Sequence, residues 1–339
     1  MTLRYNHSYP RNIISFVVPT GIGAKIGGFA GDASFYARKF AQYFDVIVNP
    51  NVVNAALFSG ITSDMLYCEG YFLDKFFANK IGLKKHAGGK IGVIFDKAIK
   101  KEVLNVHINT INAIKTIYGY DILPPIITDE EAKVRFYKEE CGGSFGDVLN
   151  PETLVKAGLK LKNLGADKIC VVCNFNDEEL DDDNDYVAGN GVDIVGGVEA
   201  IISHYMSSKL DIMTVHAPAF SNFEVETRLV SPKSAAEYVT LTYLPCLFFG
   251  LQYAPKIVDR NHKDAINVKD VNALIMPYDA VGAKIVLNAL NNNVKVIAIK
   301  ENTSCINVSA KQVGLENEII EIDTYNECLN YLLSGDNCA

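Results

Sequence analysis

No stretch of this sequence approaches the roughly 20 uninterrupted apolar residues that a membrane-crossing helix requires. The longest candidate, near Leu244 to Leu251, is about half that length. The opening MTLRYNHSYPRN is polar and lacks the apolar core of a secretory signal. A cytoplasmic protein with no membrane partner is therefore expected. Positive charge is also in deficit: the formal net charge is −8, which argues against a nucleic-acid partner.

Several site signatures are missing too. Lys25 is followed by Ile26, so the GxxxxGK[ST] spacing of a P-loop is not met. Gly21-Ile22-Gly23 reaches Gly27 one residue out of step with GxGxxG. Neither HExxH nor HxxxH occurs. The acidic run Asp177 to Asp185 lacks EF-hand spacing and reads as a solvated loop, with calcium chelation as its alternative. Among eight cysteines, Cys170 and Cys173 form one CxxC and there is no second. They sit in a strand-like run, where residues three apart point to opposite faces, so a zinc site or a pairing is not expected. No metal is expected and no cofactor is assigned. Without an export signal, the thiols should be reduced.

What the sequence does contain is length, apolar content and alternation. The 339 residues are 49% hydrophobic and 21% charged, enough for one large α/β domain or two ordinary ones. The organising stretch is Ile13 to Phe44. Its apolar, β-branched start reads as a buried strand that stops at Pro19. Five glycines follow at positions 21, 23, 27, 28 and 31. Asp32 is the expected N-cap of a helix carrying Ala37, Phe40, Ala41 and Phe44 on one stripe. Strand, glycine-rich loop and helix N-terminus together suit an anion or phosphorylated ligand. A tight structural turn is the alternative.

Further strands are expected at Val46 to Val48, Lys90 to Phe95, Ile122 to Ile127, Lys168 to Val172, Ile212 to Val215, Ala273 to Met276 and Val294 to Ile299. Helical patterns fall at Tyr71 to Phe77, Ala98 to Ile117, Pro151 to Leu164, Gly196 to Lys209 and Gly282 to Asn291, with a last helix at the end. Cys141 to Asn150 reads as a second glycine-rich connection, and His107 as a core histidine on its helix stripe. Alternation of this kind implies parallel βαβ units and an α/β, Rossmann-like parallel sheet. Two lobes with a cleft between them are expected, residues 1–140 and 141–339, unless the chain is one domain.

In such sheets ligands bind beyond the carboxyl ends of the strands. Nearly every expected strand here stops in a polar residue or proline. That rim nominates Thr20, Gly21, Gly23, Lys25, Gly27, Gly28, Asp32, Asn51, Asp279, Lys300 and Asn302 as ligand-binding residues, with Lys25 and Lys300 as anion clamps. His216 follows an apolar strand and titrates near neutrality, so it is the expected general acid or base. The alternative is a histidine bonded to backbone in a turn. Glu69 and Glu301 are the candidate catalytic carboxylates. Glu199, His204 and His216 could converge on a metal, but core or capping roles are favoured. Cys173 at a strand end invites comparison with cysteine-dependent racemases, with Cys246 or Cys305 as its distant partner.

Several segments together resemble an uncharacterised bacterial and cyanobacterial domain-of-unknown-function family. They are PTGIGAKIGGFAGDA (Pro19 to Ala33), NPNVVNAA (Asn49 to Ala56), EGYFLDKFF (Glu69 to Phe77), GSFGDVLNP (Gly143 to Pro151), GVDIVGGVEAIISH (Gly191 to His204), HAPA (His216 to Ala219), LPC (Leu244 to Cys246), PYDAVG (Pro277 to Gly282) and KENTS (Lys300 to Ser304). The resemblance spans nearly the whole chain and implies no particular reaction.

The expectation is therefore an enzyme acting on a small anionic metabolite by acid–base chemistry of lyase, isomerase or transferase type. The rivals are a non-catalytic ligand sensor and a cysteine-dependent racemase-like enzyme. A homo-oligomer is left open.

Overall fold

Two parallel sheets carry the chain. The computed structural model describes residues 11–176, 184–221 and 225–334. Most of the acidic run, residues 177–183, lies outside the described residues. The first sheet has six strands in the order Ile319–Ile322, Lys295–Ile299, Val271–Pro277, Ile13–Phe16, Asp45–Val48, Met65–Tyr67. Every neighbouring pair is parallel. The second sheet has four parallel strands in the order Met213–Ala219, Lys168–Asn174, Ile91–Phe95, Ile126–Ile127.

The α/β architecture is as expected. Ile14 lies between Ala273 and Val46 in the first sheet. A cut at 140/141 would therefore sever hydrogen-bonded neighbours. The chain instead starts the first sheet, builds the second from residues 91–219, and returns to finish the first.

The local reasons are readable. Ile91–Phe95 is buried at all five positions, as a strand covered on both faces requires. Pro151 opens the helix Pro151–Asn163 at its first turn. The helix Lys101–Tyr118 ends at Gly119, whose φ of 67° is left-handed. His107 is buried on that helix with Nδ1 3.0 Å from Thr242 Oγ1; its Nε2 has no partner among the described residues. Burial pulls its pKa down to about 4.

One apolar cluster joins the first sheet to one face of the second, uniting Phe16, Val48, Val93, Cys170 and Val215. Another covers the opposite face of the second sheet with Cys173, Leu161, Val198 and Ile202. Cys170 and Cys173 thus face opposite ways, as strand geometry demands.

Four local expectations are corrected. Cys141 to Asn150 is not a plain connection: Ser144–Val148 pairs antiparallel with Val134–Lys138. Its Gly146 reads as a turn residue, yet it marks a crossing where a Cβ would meet Arg135 O at 2.3 Å and Val198 Cβ at 2.6 Å. Of Ile122 to Ile127 only Ile126–Ile127 is strand. The strand Met213–Ala219 runs past His216, which lies inside it rather than at its end. Asp32 does not cap the helix Ser34–Ala41, whose N-cap is Ala33. Its carboxylate turns back to accept from Gly27 N at 2.6 Å.

Candidate active site

A cavity of about 820 Å³ opens between the carboxyl ends of the two sheets. From the first sheet it is lined by Thr20, Gly28, Asn51 and Glu69, and from the second by Asp193, Glu199, His216 and Glu237. Its most unusual content is a set of carboxyl groups, Glu69 buried and Asp193, Glu199 and Glu237 half-buried.

Glu69 follows the edge strand Met65–Tyr67 and caps the helix Gly70–Phe77, accepting from Tyr71 N at 2.9 Å. It is 4% exposed, and burial pushes its pKa up to about 8. His204 Nδ1 stands 3.7 Å from it. Glu199 lies in the first turn of the helix Gly196–Leu210. Desolvation first, and then repulsion from Asp193 and Glu237, push Glu199 well above the usual carboxylate range. Asp193 accepts from Val195 N at 3.0 Å in the turn before that helix. Glu237 accepts from Ala30 N at 2.9 Å and from Tyr186 OH at 2.7 Å. Burial and mutual repulsion raise the Glu237 carboxyl, and burial raises that of Asp193. Like charges crowded in a poorly hydrated space hold protons that water would remove.

His216 is placed at this cavity but not as a free base. Cys173 N donates to its Nε2 at 3.3 Å, so that nitrogen is an acceptor. The proton of the neutral ring then sits on Nδ1, 3.3 Å from Glu199 Oε1. The ring stacks on Phe175 at 5.4 Å, and burial drives its pKa down to about 3. A histidine with both nitrogens engaged and no tendency to charge orients Glu199.

The first-sheet rim behaves differently. Asn302 is fully buried and clamps Ile26 from both sides: Ile26 N donates to its Oδ1 at 2.9 Å, and its Nδ2 donates to Ile26 O at 2.8 Å. The same Nδ2 reaches Tyr325 OH at 2.7 Å. Asn51 Nδ2 donates to Gly27 O at 2.6 Å. Asp279 Oδ1 accepts from Ser304 N and Oγ at 2.7 and 2.8 Å. Lys300 pairs with Asp323 at 3.0 Å on the surface. Glu301 accepts from Tyr325 N at 2.7 Å at the start of the last helix and does not line the cavity. Lys25 lies off the cavity as well, its N donating to Thr303 O at 2.8 Å. Of the nominated residues, the structure brings Thr20, Gly28, Asn51, Glu69 and His216 together at the cavity. Gly21, Gly23, Gly27, Asp32, Asp279, Lys300 and Asn302 are not part of its wall.

The glycine loop is wired internally. The amides of Lys25, Ile26, Gly27, Ala30 and Asp32 all donate to protein oxygens, two of them to the carboxylates of Asp32 and Glu237. Its left-handed glycines include Gly21, where a Cβ would lie 2.7 Å from Ser144 Oγ and 3.0 Å from Gly197 Cα. Here glycine permits three backbones to cross.

Sequence reasoning missed Asp193 and Glu237 and gave Glu199 only a core, capping or metal role. One signal was available: Glu199 directly follows buried Val198 in the first turn of its helix. Of the thiols, Cys246 lines this cavity. Cys173 is fully buried and its pKa lies well above the ordinary thiol range, and burial raises Cys246 to about 12. Among the described residues no group of three or more His, Cys, Asp or Glu is placed to hold a metal ion. None of their helices is long and apolar enough to cross a membrane.

A protein of Synechococcus sp. named as an uncharacterised lipoprotein is 31% identical over 323 residues, covering 93% of this chain and 88% of that one. No solved structure matches the chain significantly. The family model for a protein of unknown function, DUF3326, matches residues 13–337. The resemblance carried by the glycine loop, the GVDIVGGVEAIISH segment and HAPA is thereby identified: the chain belongs to the DUF3326 family.

Proposed function

We propose that this protein is an enzyme that moves protons on a small polar metabolite, of isomerase or lyase type, with Glu199 and Glu69 as the exchanging groups. One observation carries this reading: carboxyl groups with pKa raised by burial line a single cavity at the carboxyl ends of both sheets. A carboxyl whose pKa is lifted toward neutrality can donate a proton at pH 7, while a neighbour that has lost its proton can accept one. His216 fixes the direction in which Glu199 presents its free oxygen.

The same groups bear on the ligand. An anionic metabolite, expected from the glycine loop, would enter a cavity lined by Glu69, Asp193, Glu199 and Glu237, with the loop amides named above already taken. An uncharged polyol-like or a cationic ligand suits this lining better. Arg228 is the one guanidinium among the described cavity-lining residues, and it also holds Glu226 at 2.8 Å.

A thermal-shift screen of metabolites sorted by charge tests both statements, because a ligand that binds the folded form raises its melting temperature. The stabilising compounds should be uncharged or cationic, and Glu199→Gln should keep their binding while losing turnover. Retained turnover in Glu199→Gln would sink the assignment. Binding without turnover in the native protein would leave a ligand sensor. For location, the lipoprotein name of the relative favours a membrane-tethered protein over the cytoplasmic one expected from the sequence; fractionation of cells producing the full chain separates them.

A further inference from the structure

We propose that Cys141 and Cys305 are a disulfide-forming pair that staples the hairpin tip to the loop after Lys295–Ile299. Cys141 is exposed in the hairpin turn, and Cys305 is half-buried in that loop. A methyl-sized point built on Gly143 lies 3.6 Å from Cys141 Sγ and 3.8 Å from Cys305 Sγ. One built on Gly142 lies 3.6 Å from Cys305 Cβ. The two sulfurs thus flank one point beside Gly143.

Both segments are already seated. Ser144 N donates to Gly21 O at 2.8 Å, and Cys305 N donates to Ile22 O at 2.9 Å. Neighbouring residues of the glycine loop thus hold the two cysteine-bearing segments in register, so closing an S–S bond needs little backbone movement. The other described cysteines, at 68, 170, 173, 246 and 328, are buried. Access alone therefore selects this pair.

The chemistry needs a low-molecular-weight disulfide, written RSSR. The Cys141 thiol, which donates toward Glu139 Oε2 at 3.7 Å, loses its proton and attacks one sulfur of RSSR. Cys141–SR forms and one RSH leaves. The Cys305 thiolate then attacks the Cys141 sulfur, the protein disulfide closes, and the second RSH leaves. Two protein thiols are oxidised and one RSSR is reduced to two RSH. The bond would tie the hairpin, built from the inserted segment, to a loop of the first sheet beside the glycine loop. It rests on nothing in the catalytic reading above.

The full chain, reduced and then incubated with oxidised glutathione, is digested without reduction and weighed by mass spectrometry. The expected product is one peptide pair joined through Cys141 and Cys305. Its formation should remove two alkylatable thiols, raise the melting temperature by about 5 °C, and reverse with dithiothreitol. Cys305→Ser should stop at a glutathione adduct on Cys141. A lasting adduct on native Cys141, a cross-link between two chains, or pairing to another cysteine would each overturn the proposal. Mapping the linked peptides of the native chain decides between these outcomes even if the serine variant does not fold.

Discussion

The two sheets present polar residues at their carboxyl ends, and they use them in different ways. Around the first sheet Asn302, Asp279 and Asn51 are hydrogen-bonded to neighbouring loop groups inside the protein. Beside the second sheet Asp193, Glu199 and Glu237 face one another across the cavity and hold protons against water. Polar residues at strand ends are therefore of two kinds. Those bonded to their neighbours stiffen a loop, and those crowded together have their carboxyl pKa raised. Glu69 belongs to the second kind although it sits on the first sheet.

The largest expected effect concerns Glu69. Its pKa is about 8 in the folded chain against 4.5 ordinarily, so the folded form binds the proton more tightly than the unfolded one. The stability this proton supplies is complete below pH 4.5 and is lost as pH rises to 8, on the order of 4 kcal/mol in all. Glu69→Gln keeps an acceptor for Tyr71 N and should flatten that fall; denaturant unfolding between pH 5 and 8 measures it. An unchanged slope would place Glu69 with the stiffening residues.

Asn302→Ala should come next, with a loss of about 3 kcal/mol from the unpaired Ile26 and Tyr325 groups. Its stability should follow pH in parallel with the native chain, since no cavity carboxyl is touched. A changed pH slope in that variant would merge the two kinds of rim. His216→Phe keeps a ring against Phe175 but strands Cys173 N–H and frees Glu199, costing about 2 kcal/mol. In an activity assay its pH profile should shift upward, because Glu199 loses a donor that favours its ionised form. Lys300→Ala should leave the melting temperature unchanged, as an exposed ion pair contributes little.

Much of the fold was legible because it rests on period and run length. Ile91–Phe95 and Lys168–Asn174 declare themselves as buried strands, and Pro151 announces its helix. The order of strands was not legible, because nothing in Ile13–Phe16 says that its neighbour lies beyond residue 270. The site was half legible. Strand-end logic found Glu69 and His216 but could not distinguish Asn302 from a ligand contact, since a buried asparagine and an exposed one look alike in sequence. Glu237 lies on the four-residue helix Ala235–Tyr238, too short to show a face, so nothing marked it as inward. Gly146 misled because glycine selected for close packing resembles glycine selected for a connection: a Cβ there would meet Arg135 O and Val198 Cβ.

The pairing of Ile13 with Val271 also has a consequence for biosynthesis. The ribosome makes the opening strand first, but the neighbour that completes its hydrogen bonds arrives only after the entire second sheet has been translated. Until then Ile14, Phe16 and Val18 are greasy and uncovered, and closing so long a loop is an entropically slow event. The inserted sheet, whose partners are closer along the chain, can gather ahead of it. Nascent chains halted near residue 250 should accordingly protect the second sheet from protease while the first remains open to cleavage and to chaperone capture.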